Sequence, residues 1–423
     1  MRSSDEVLFS FFLLLALVLC SQLCSAEDTL KAGQKITVNS KKRLVSSNGT
    51  FELGFFSLNG SSSDVKSYLG IWYGVSKSQT VVWVANRDNP VSDSSGVFRI
   101  AEDGNLVVEV ASKRHWSSII EASSSTNRTL KLLESGNLVL MDDNPGRSDY
   151  LWQSFQHPTD TFLPGMKMDA SLALTSWRNA TDPAPGNFTF KLAQVDRRRS
   201  FVVQKQSQIY WDLDELDRDV SPEVHNLLYN TNTNTRGNWL HNISDKTNNK
   251  KSRLLMNSSG ELQFLKLDDD EGQWEMHWLW PVDTCDIHDH CGSFGICNRN
   301  NYFRCKCLPG FAPSHDQSEG ELQVQRCERK STSCINTDVT FLNLTNIKVG
   351  SPDQEYSTET EAECQSLCIS MCADLQCQAY SYNASTYDRS SSSCNIWTRN
   401  LSSLVEEYDR GRDLSILVER SDI

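Results

Sequence analysis

Every cysteine beyond residue 24 lies between Cys285 and Cys394, and residues 25 to 284 contain none. Of fourteen cysteines, Cys20 and Cys24 belong to the N-terminal stretch, which leaves twelve in the cysteine-rich part. A long first half must therefore fold on apolar burial alone, whereas a short second half is stapled. An even count packed into so short a span marks an oxidising compartment and a disulfide framework. The N-terminus agrees: Val7 to Leu19 is apolar except for Ser10, follows Arg2, and precedes the small-x-small site Cys24-Ser25-Ala26. Residues 1–26 read as a secretory signal peptide, too short to cross a bilayer as a helix, which needs about 20 residues. No later run reaches that length, so the mature chain is expected to be secreted and soluble, without a membrane span. The formal charge is -13, and removing Arg2, Asp5 and Glu6 with the leader leaves -12. An acidic chain of this kind is not built for nucleic acid.

Sequons for N-linked glycans occur at Asn48, Asn59, Asn127, Asn179, Asn187, Asn242, Asn257, Asn343, Asn383 and Asn400. Their number fits passage through the secretory pathway, and their spread places most loops at the surface.

The first half alternates short β-branched and aromatic runs with Gly, Asn, Asp and Ser, as in Thr80-Val81-Val82-Trp83-Val84 followed by Ala85-Asn86-Arg87-Asp88-Asn89-Pro90. These are strand and turn signals. One unit repeats: Asp103-Gly104-Asn105-Leu106-Val107-Val108 returns as Ser135-Gly136-Asn137-Leu138-Val139-Leu140, and each copy is followed by a tryptophan, Trp116 or Trp152. A Gly-Asn pair supplies positive backbone dihedrals at a tight turn, and the apolar residues after it feed a buried strand. Repetition of such a unit implies pseudo-symmetry. Texture alone gives an all-β first half, long enough for one or two cores, with small stapled modules behind it.

Phe51-Glu52-Leu53-Gly54-Phe55-Phe56, Tyr68-Leu69-Gly70-Ile71-Trp72-Tyr73, Val82 to Pro90, Leu151-Trp152-Gln153-Ser154-Phe155 and His157-Pro158-Thr159-Asp160-Thr161 occur in that order. Together they resemble the bulb-type (G-type) lectin region of plant S-locus glycoproteins and S-domain receptor-like kinases. Leu174-Thr175-Ser176-Trp177-Arg178, with Asp182-Pro183 and Pro185-Gly186, extends the resemblance, and the cysteine-rich tail carries it almost to Ile423. The resemblance implies a mainly β chain: a bulb-type lectin domain over 27–155, a second lectin-like, S-locus glycoprotein region over 156–280, an EGF-like module over 281–327 and a disulfide-rich α+β PAN/apple domain over 334–423. The first two would be tandem β-prisms.

Cys285, Cys291, Cys297, Cys305, Cys307 and Cys327 have EGF-like spacing, with Gly292, Gly295 and Pro309-Gly310 at bends. Six cysteines allow fifteen connectivities. Cys305 and Cys307 leave one face of a strand and would bond to each other only with strain, so each bonds elsewhere. The EGF-like resemblance supplies Cys285 with Cys297, Cys291 with Cys305, and Cys307 with Cys327, although Glu321 to Arg326 depart from the usual approach to the last cysteine. A competing zinc site at His288, His290 and adjacent cysteines lacks tetrahedral ligand spacing, and secreted cysteines of even parity prefer each other. The acidic run Asp268-Asp269-Asp270-Glu271 reads as a solvated hairpin tip. No metal and no cofactor is assigned. Further on, Thr360 and Glu363 form a capping box, and Cys364, Leu367, Cys368 and Met371 share one helix face. By resemblance to a PAN module, Cys364 pairs with Cys394 and Cys368 with Cys377, leaving Cys334 with Cys372. Here Cys372 and Cys377 have four residues between them, where the family commonly has one.

There is no Walker loop, Gly-x-Ser-x-Gly elbow, His-Glu-x-x-His or protein-kinase motif in the chain, so no enzyme is expected. Mannose-binding relatives use a Gln-x-Asp-x-Asn-x-Val-x-Tyr strand. Asp103, Asn105 and Val107 match in the first copy, with Ala101 for Gln and Glu109 for Tyr; Asn137 and Val139 match in the second, with Leu133, Ser135 and Met141 elsewhere. Each missing polar contact costs about 0.5 to 1.5 kcal/mol, which argues against monosaccharide binding. The cluster Arg197-Arg198-Arg199, with Phe201 beside it, is a candidate holder of an acidic ligand. The resemblance implies a recognition protein for an extracellular protein, peptide or glycan ligand, in pollen self-recognition or defence, acting as a homodimer or with a partner S-domain receptor kinase. The alternative is the ectodomain of a truncated receptor Ser/Thr kinase, anchored in the plasma membrane if the native chain runs on past Ile423.

Overall fold

The structure is a computed structural model that describes residues 27–58, 66–92, 94–120, 127–143, 150–195, 198–214, 220–229, 251–314, 326–330, 338–371, 377–384, 392–409 and 411–422. Three four-stranded antiparallel sheets make up the first part. One joins Thr29–Lys31, Arg128–Leu132, Leu138–Asp142 and Trp152–Gln153; the second Lys35–Thr37, Val97–Ile100, Leu106–Val110 and Lys113–Ser117; the third Leu44–Val45, Phe51–Ser57, Ser67–Tyr73 and Thr80–Val84. The mainly β expectation holds.

The sheets are arranged with an internal likeness that the register makes explicit. In each, the last strand brings one tryptophan opposite an aliphatic residue of the strand before it: Trp83 opposite Ile71, Trp116 opposite Val108, Trp152 opposite Leu140. The three indoles meet one another edge to face, with ring centroids 5.8, 5.9 and 5.8 Å apart. Such geometry suits the aromatic quadrupole, and each pair contributes about 0.5–1.5 kcal/mol beyond area burial. Since each sheet supplies one ring, the cluster ties all three together. The Trp83 indole N–H donates to the His157 carbonyl at 2.9 Å, and the His157 ring stacks on Trp152 at 5.5 Å.

Two more four-stranded sheets follow: Ala173–Asn179, Asp182–Val195, Arg198–Lys205 and Gln208–Asp214, and then Thr161–Phe162, Ser252–Met256, Leu262–Leu267 and Trp274–Trp280. Asp268 to Glu271 lie at the tip between the last two strands, where the Asp268 carboxylate accepts from the amides of Asp270 and Glu271. A short helix, α1 (Pro222–Tyr229), starts on a proline, whose missing N–H is no loss in a first turn.

The described residues divide into two compact units. One holds those up to Val195 with Arg199–Gln208 and Leu213–Trp280; the other holds the remainder. Within the first unit, Arg87 is buried and clasps the backbone of the following region: Nε donates to Pro183 O at 2.8 Å, Nη1 to Thr175 O at 3.1 Å and Nη2 to Ser176 O at 2.7 Å.

The second unit is built around a five-stranded sheet in the order Val339–Ile347, Arg412–Glu419, Ala379–Asn383, Ser393–Trp397, Gln354–Ser357. Disulfides join Cys285 to Cys297, Cys291 to Cys305, Cys307 to Cys327, Cys364 to Cys394 and Cys368 to Cys377. Cys334 and Cys372 lie outside the described residues. Helix α2 (Glu361–Ser370) directs Cys364 and Cys368 inward, and both are fully buried. Thr360 Oγ1 accepts from the Glu363 amide at 3.3 Å, but the Glu363 carboxylate reaches the Glu359 amide instead of that of Thr360. The cap is therefore one residue wider than the box expected from sequence. Thr360→Ala should cost about 1 kcal/mol, read as a lower melting transition of this unit, while Thr360→Ser should cost little; equal loss in both variants would remove the cap from the account.

Candidate functional site

The repeated turns are built alike. Gly104 has φ +82° and Gly136 φ +84°, a conformation that side chains other than glycine rarely adopt. Each glycine amide closes on the residue three before it, Ala101 or Leu133, whose own amide donates to the following Asn carbonyl. A Cβ on Gly104 would collide with the Arg128 guanidinium, and one on Gly136 with the Phe51 ring.

In the first copy, Asn105 Oδ1 accepts from Ile120 N at 2.8 Å and Ser118 Oγ at 3.1 Å, which ties the turn to the tryptophan-bearing strand. Asp103 is paired with Arg114 at 2.8 Å, and Glu109 with Arg99 at 2.7 Å. The Asp103 carboxyl sits below its usual range: slight burial raises it, and hydrogen bonds from Asn105 and Arg114 outweigh that. Val107 is fully buried, so it offers no apolar surface to a sugar ring. In the second copy, Asn137 Oδ1 accepts from Phe155 N at 3.2 Å and Ser154 Oγ at 3.3 Å, while Nδ2 donates to Gln153 Oε1 at 2.8 Å. Val139 is again fully buried. The two copies stand on different sheets and do not converge on one site.

A third copy of this turn went unread in the sequence. At Asn257-Ser258-Ser259-Gly260-Glu261-Leu262, Gly260 has φ +93°, its amide donates to Asn257 O, and Asn257 N donates to Glu261 O. Phe264, four residues after the glycine, then stands opposite Trp278, as Leu140 stands opposite Trp152. The available signal was Gly-x-Leu followed by a distant tryptophan; Glu261 in the place of asparagine hid it.

Beside the second turn opens a cleft of about 520 Å³, lined on one side by Ser135, Asn137, Gln153, Phe155 and Gln156 and on the other by the segment from Gly165 to Leu172. Phe155, Met166 and Leu172 are buried and supply its apolar surface, whereas Gln156, Lys167 and Asp169 are exposed. Asp169 Oδ1 accepts from Ser171 Oγ at 2.6 Å and Ser171 N at 2.8 Å, and these bonds hold its carboxyl below the usual range.

Elsewhere, the sulfurs of Cys291, Cys297 and Cys305 cluster within 4.8 Å, but each belongs to a disulfide and has no thiolate to give a metal. His288 bridges Asp212 Oδ1 at 3.0 Å and Ser403 Oγ at 3.3 Å. Of the arginine cluster, Arg197 lies outside the described residues. Phe201 does not stand beside a ligand: strand alternation turns it inward, where it is 2 % exposed and stacks on Phe190 at 5.6 Å. Among the sequons, Asn48, Asn127, Asn179, Asn187, Asn343, Asn383 and Asn400 are exposed; Asn59 and Asn242 lie outside the described residues. Asn257 is half-buried, and its Nδ2 donates to Glu261 Oε2 at 2.6 Å.

Comparison with known proteins gives three family matches: a D-mannose binding lectin model over residues 80–181, an S-locus glycoprotein domain over 216–315 and a PAN-like domain over 334–404. A G-type lectin S-receptor-like serine/threonine-protein kinase of Arabidopsis thaliana is 39% identical over 437 residues, covering 99% of this chain and 50% of that protein. The S-locus-specific glycoprotein S6 of Brassica oleracea is 31% identical over 420 residues, covering 94% of this chain and 92% of the relative. Among solved structures, the monomeric monocot mannose-binding lectins from Gastrodia elata match at 21% identity and a TM-score of 0.23, over 30% of this chain and 96% of theirs. The chain spans about half the length of the kinase relative.

Proposed function

Because the chain belongs to the family of S-locus glycoproteins and G-type lectin S-receptor-like kinase ectodomains, we propose that it is a secreted, glycosylated, non-enzymatic recognition protein for an extracellular protein, peptide or glycan ligand. The observation that carries this reading is the use of the sugar-motif residues as struts. Asp103 is spent on Arg114, Asn105 on Ser118 and Ile120, and Asn137 on Gln153, Ser154 and Phe155. With Val107 and Val139 fully buried, neither copy presents the donors, acceptors and apolar patch that a single mannose ring needs. A lectin scaffold whose motif faces its own backbone takes its ligand contacts elsewhere. The module division that goes with this reading is a lectin domain over 27–155, a second lectin-like region over 156–280, an EGF-like module over 281–327 and a PAN domain over 334–423.

A second reading makes the same residues the sensor half of a receptor kinase, which the half-length match to the kinase relative favours. Membrane partition of the native protein separates the two: a soluble apoplastic form supports the free recognition protein, and co-fractionation with membranes supports the sensor. For the ligand, titration with methyl α-mannoside should give no saturable binding. Array binding that is competed by mannose and abolished in a folded Asn105→Ala variant would overturn the reading.

A further inference from the structure

The cleft beside the second turn has a donor set that the fold itself does not use. Gln153 commits only Oε1, to Asn137, so its amide nitrogen has no partner among the described residues. Gln156 and Lys167 likewise make no hydrogen bond or ion pair there. Lys167 acts on Asp169 through its field alone, and Asp169 is held in place by Ser171. Seven polar side chains thus border one opening, and three of them, Gln153, Gln156 and Lys167, have unspent N–H groups. The apolar side is equally specific. Gly165, at φ +95°, would place a Cβ 3.6 Å from the Phe155 ring, which lines the cleft with the 8 % of its surface that is exposed. The volume, about 520 Å³, is in the range of small-ligand sites.

We propose that this cleft binds an acidic saccharide, seating a carboxylate-bearing sugar ring between Phe155 and the trio Gln153, Gln156 and Lys167. The carboxylate meets the Lys167 ammonium and the glutamine amides, a charge-assisted arrangement stronger than neutral pairing. The C–H face of the ring lies on Phe155, and the free Asp169 oxygen accepts from ring hydroxyls. Ser135 and Asn137 of the second motif copy also line the cleft, but the contacts assigned here are made by Gln153, Phe155, Gln156, Lys167 and Asp169. The assignment rests on the recognition function above and narrows its ligand.

The test uses the glycosylated chain from residue 27 onward and three probes: trigalacturonate, its fully methyl-esterified form, and a neutral galactose trimer. Trigalacturonate should bind saturably and more weakly as salt rises, whereas the ester, identical in scaffold but uncharged, should bind at least about tenfold more weakly. Lys167→Glu should remove the preference for the acid, and Gln156→Ala should weaken all binding; both positions are exposed, so unchanged melting is the control for folding. Equal affinity for acid and ester, or an unchanged Lys167→Glu variant, overturns the proposal. A folded chain that ignores trigalacturonate but captures ligands on an extracellular peptide or glycan array loses the cleft assignment alone. One that captures nothing on either loses the recognition function as well.

Discussion

Trp152→Ala is expected to destabilise the first lectin unit by about 3–5 kcal/mol, the range for deleting a large buried aromatic ring from a packed core. Trp152 is 4 % exposed and contacts three rings at once: Trp83 and Trp116 edge to face, and His157 in a stack with an interplanar angle of 7°. Because one indole comes from each sheet, its loss opens the place where all three sheets meet and leaves a cavity that none can fill alone. Urea unfolding followed by the fluorescence of the remaining tryptophans reads the effect. Trp152→Phe should recover a good part of it, since an aromatic face survives. A second signature accompanies the first. Partial burial, to which the stacked indole contributes one face, holds the His157 imidazole below its ordinary value, which favours the neutral ring. A histidine with a depressed folded pKa lends stability above its unfolded value, and this is lost as pH falls towards the folded one. Trp152→Ala should move the His157 titration upward and flatten the acid limb of stability. A loss below about 1 kcal/mol would show that the triad is decoration and not a keystone.

Arg87→Ala should cost a comparable amount, about 3–5 kcal/mol, because it breaks a buried charge arrangement by deleting one member. Three carbonyls, those of Thr175, Ser176 and Pro183, lose their donor together. Arg87→Lys should recover little, since one ammonium cannot span a fork of three acceptors. The effect should also depend on pH. Burial raises the Asp160 carboxyl above the usual range, against the opposing fields of Arg87 and Arg253. A carboxyl with a raised folded pKa contributes stability below its unfolded value, and that contribution is lost as pH rises through the folded one. Without Arg87 the charge on Asp160 is less compensated, so the variant's deficit should be largest at neutral pH and should shrink on mild acidification. Melting the pair of proteins at both pH values decides it; a deficit that grows in acid would show that Asp160 is not part of this arrangement.

How far the chain could be read in advance follows from the range of each interaction. The β architecture was legible in local texture, because strands such as Thr80–Val84 and turns such as Asp103-Gly104-Asn105 carry their signals within a few residues. The α2 face was legible for the same reason, with Cys364 and Cys368 one turn apart. Arg87 is the opposite case. It sits inside a motif that drew the eye, yet its partners lie 88, 89 and 96 residues away, and nothing at the motif names them. The tryptophan triad was half visible: Trp116 and Trp152 followed the repeats, but Trp83 follows no Gly-Asn turn. In the candidate site, Asn105 and Asn137 were read for the chemistry of their side chains, while their roles depend on Ser118 and Ser154, which only the folded hairpins bring near. Phe201 was misjudged because a basic run outweighed the alternation that places it in the core. The cleft was not legible at all, since its two sides come from a turn and a separate segment that share no pattern.

The Asn struts have a consequence for how such a scaffold can change over time. A Gly-Asn turn that closes a hairpin and braces the next strand is needed for folding whether or not any sugar is ever bound. A neighbouring motif position such as Met141 makes no side-chain hydrogen bond to the turn and can be exchanged without disturbing the brace. Recognition and foldability are therefore written in different residues of the same strand. A lineage can abandon one ligand and acquire another while its Gly-Asn-Leu-Val signature stays intact, so that signature records the architecture and is silent about the cargo.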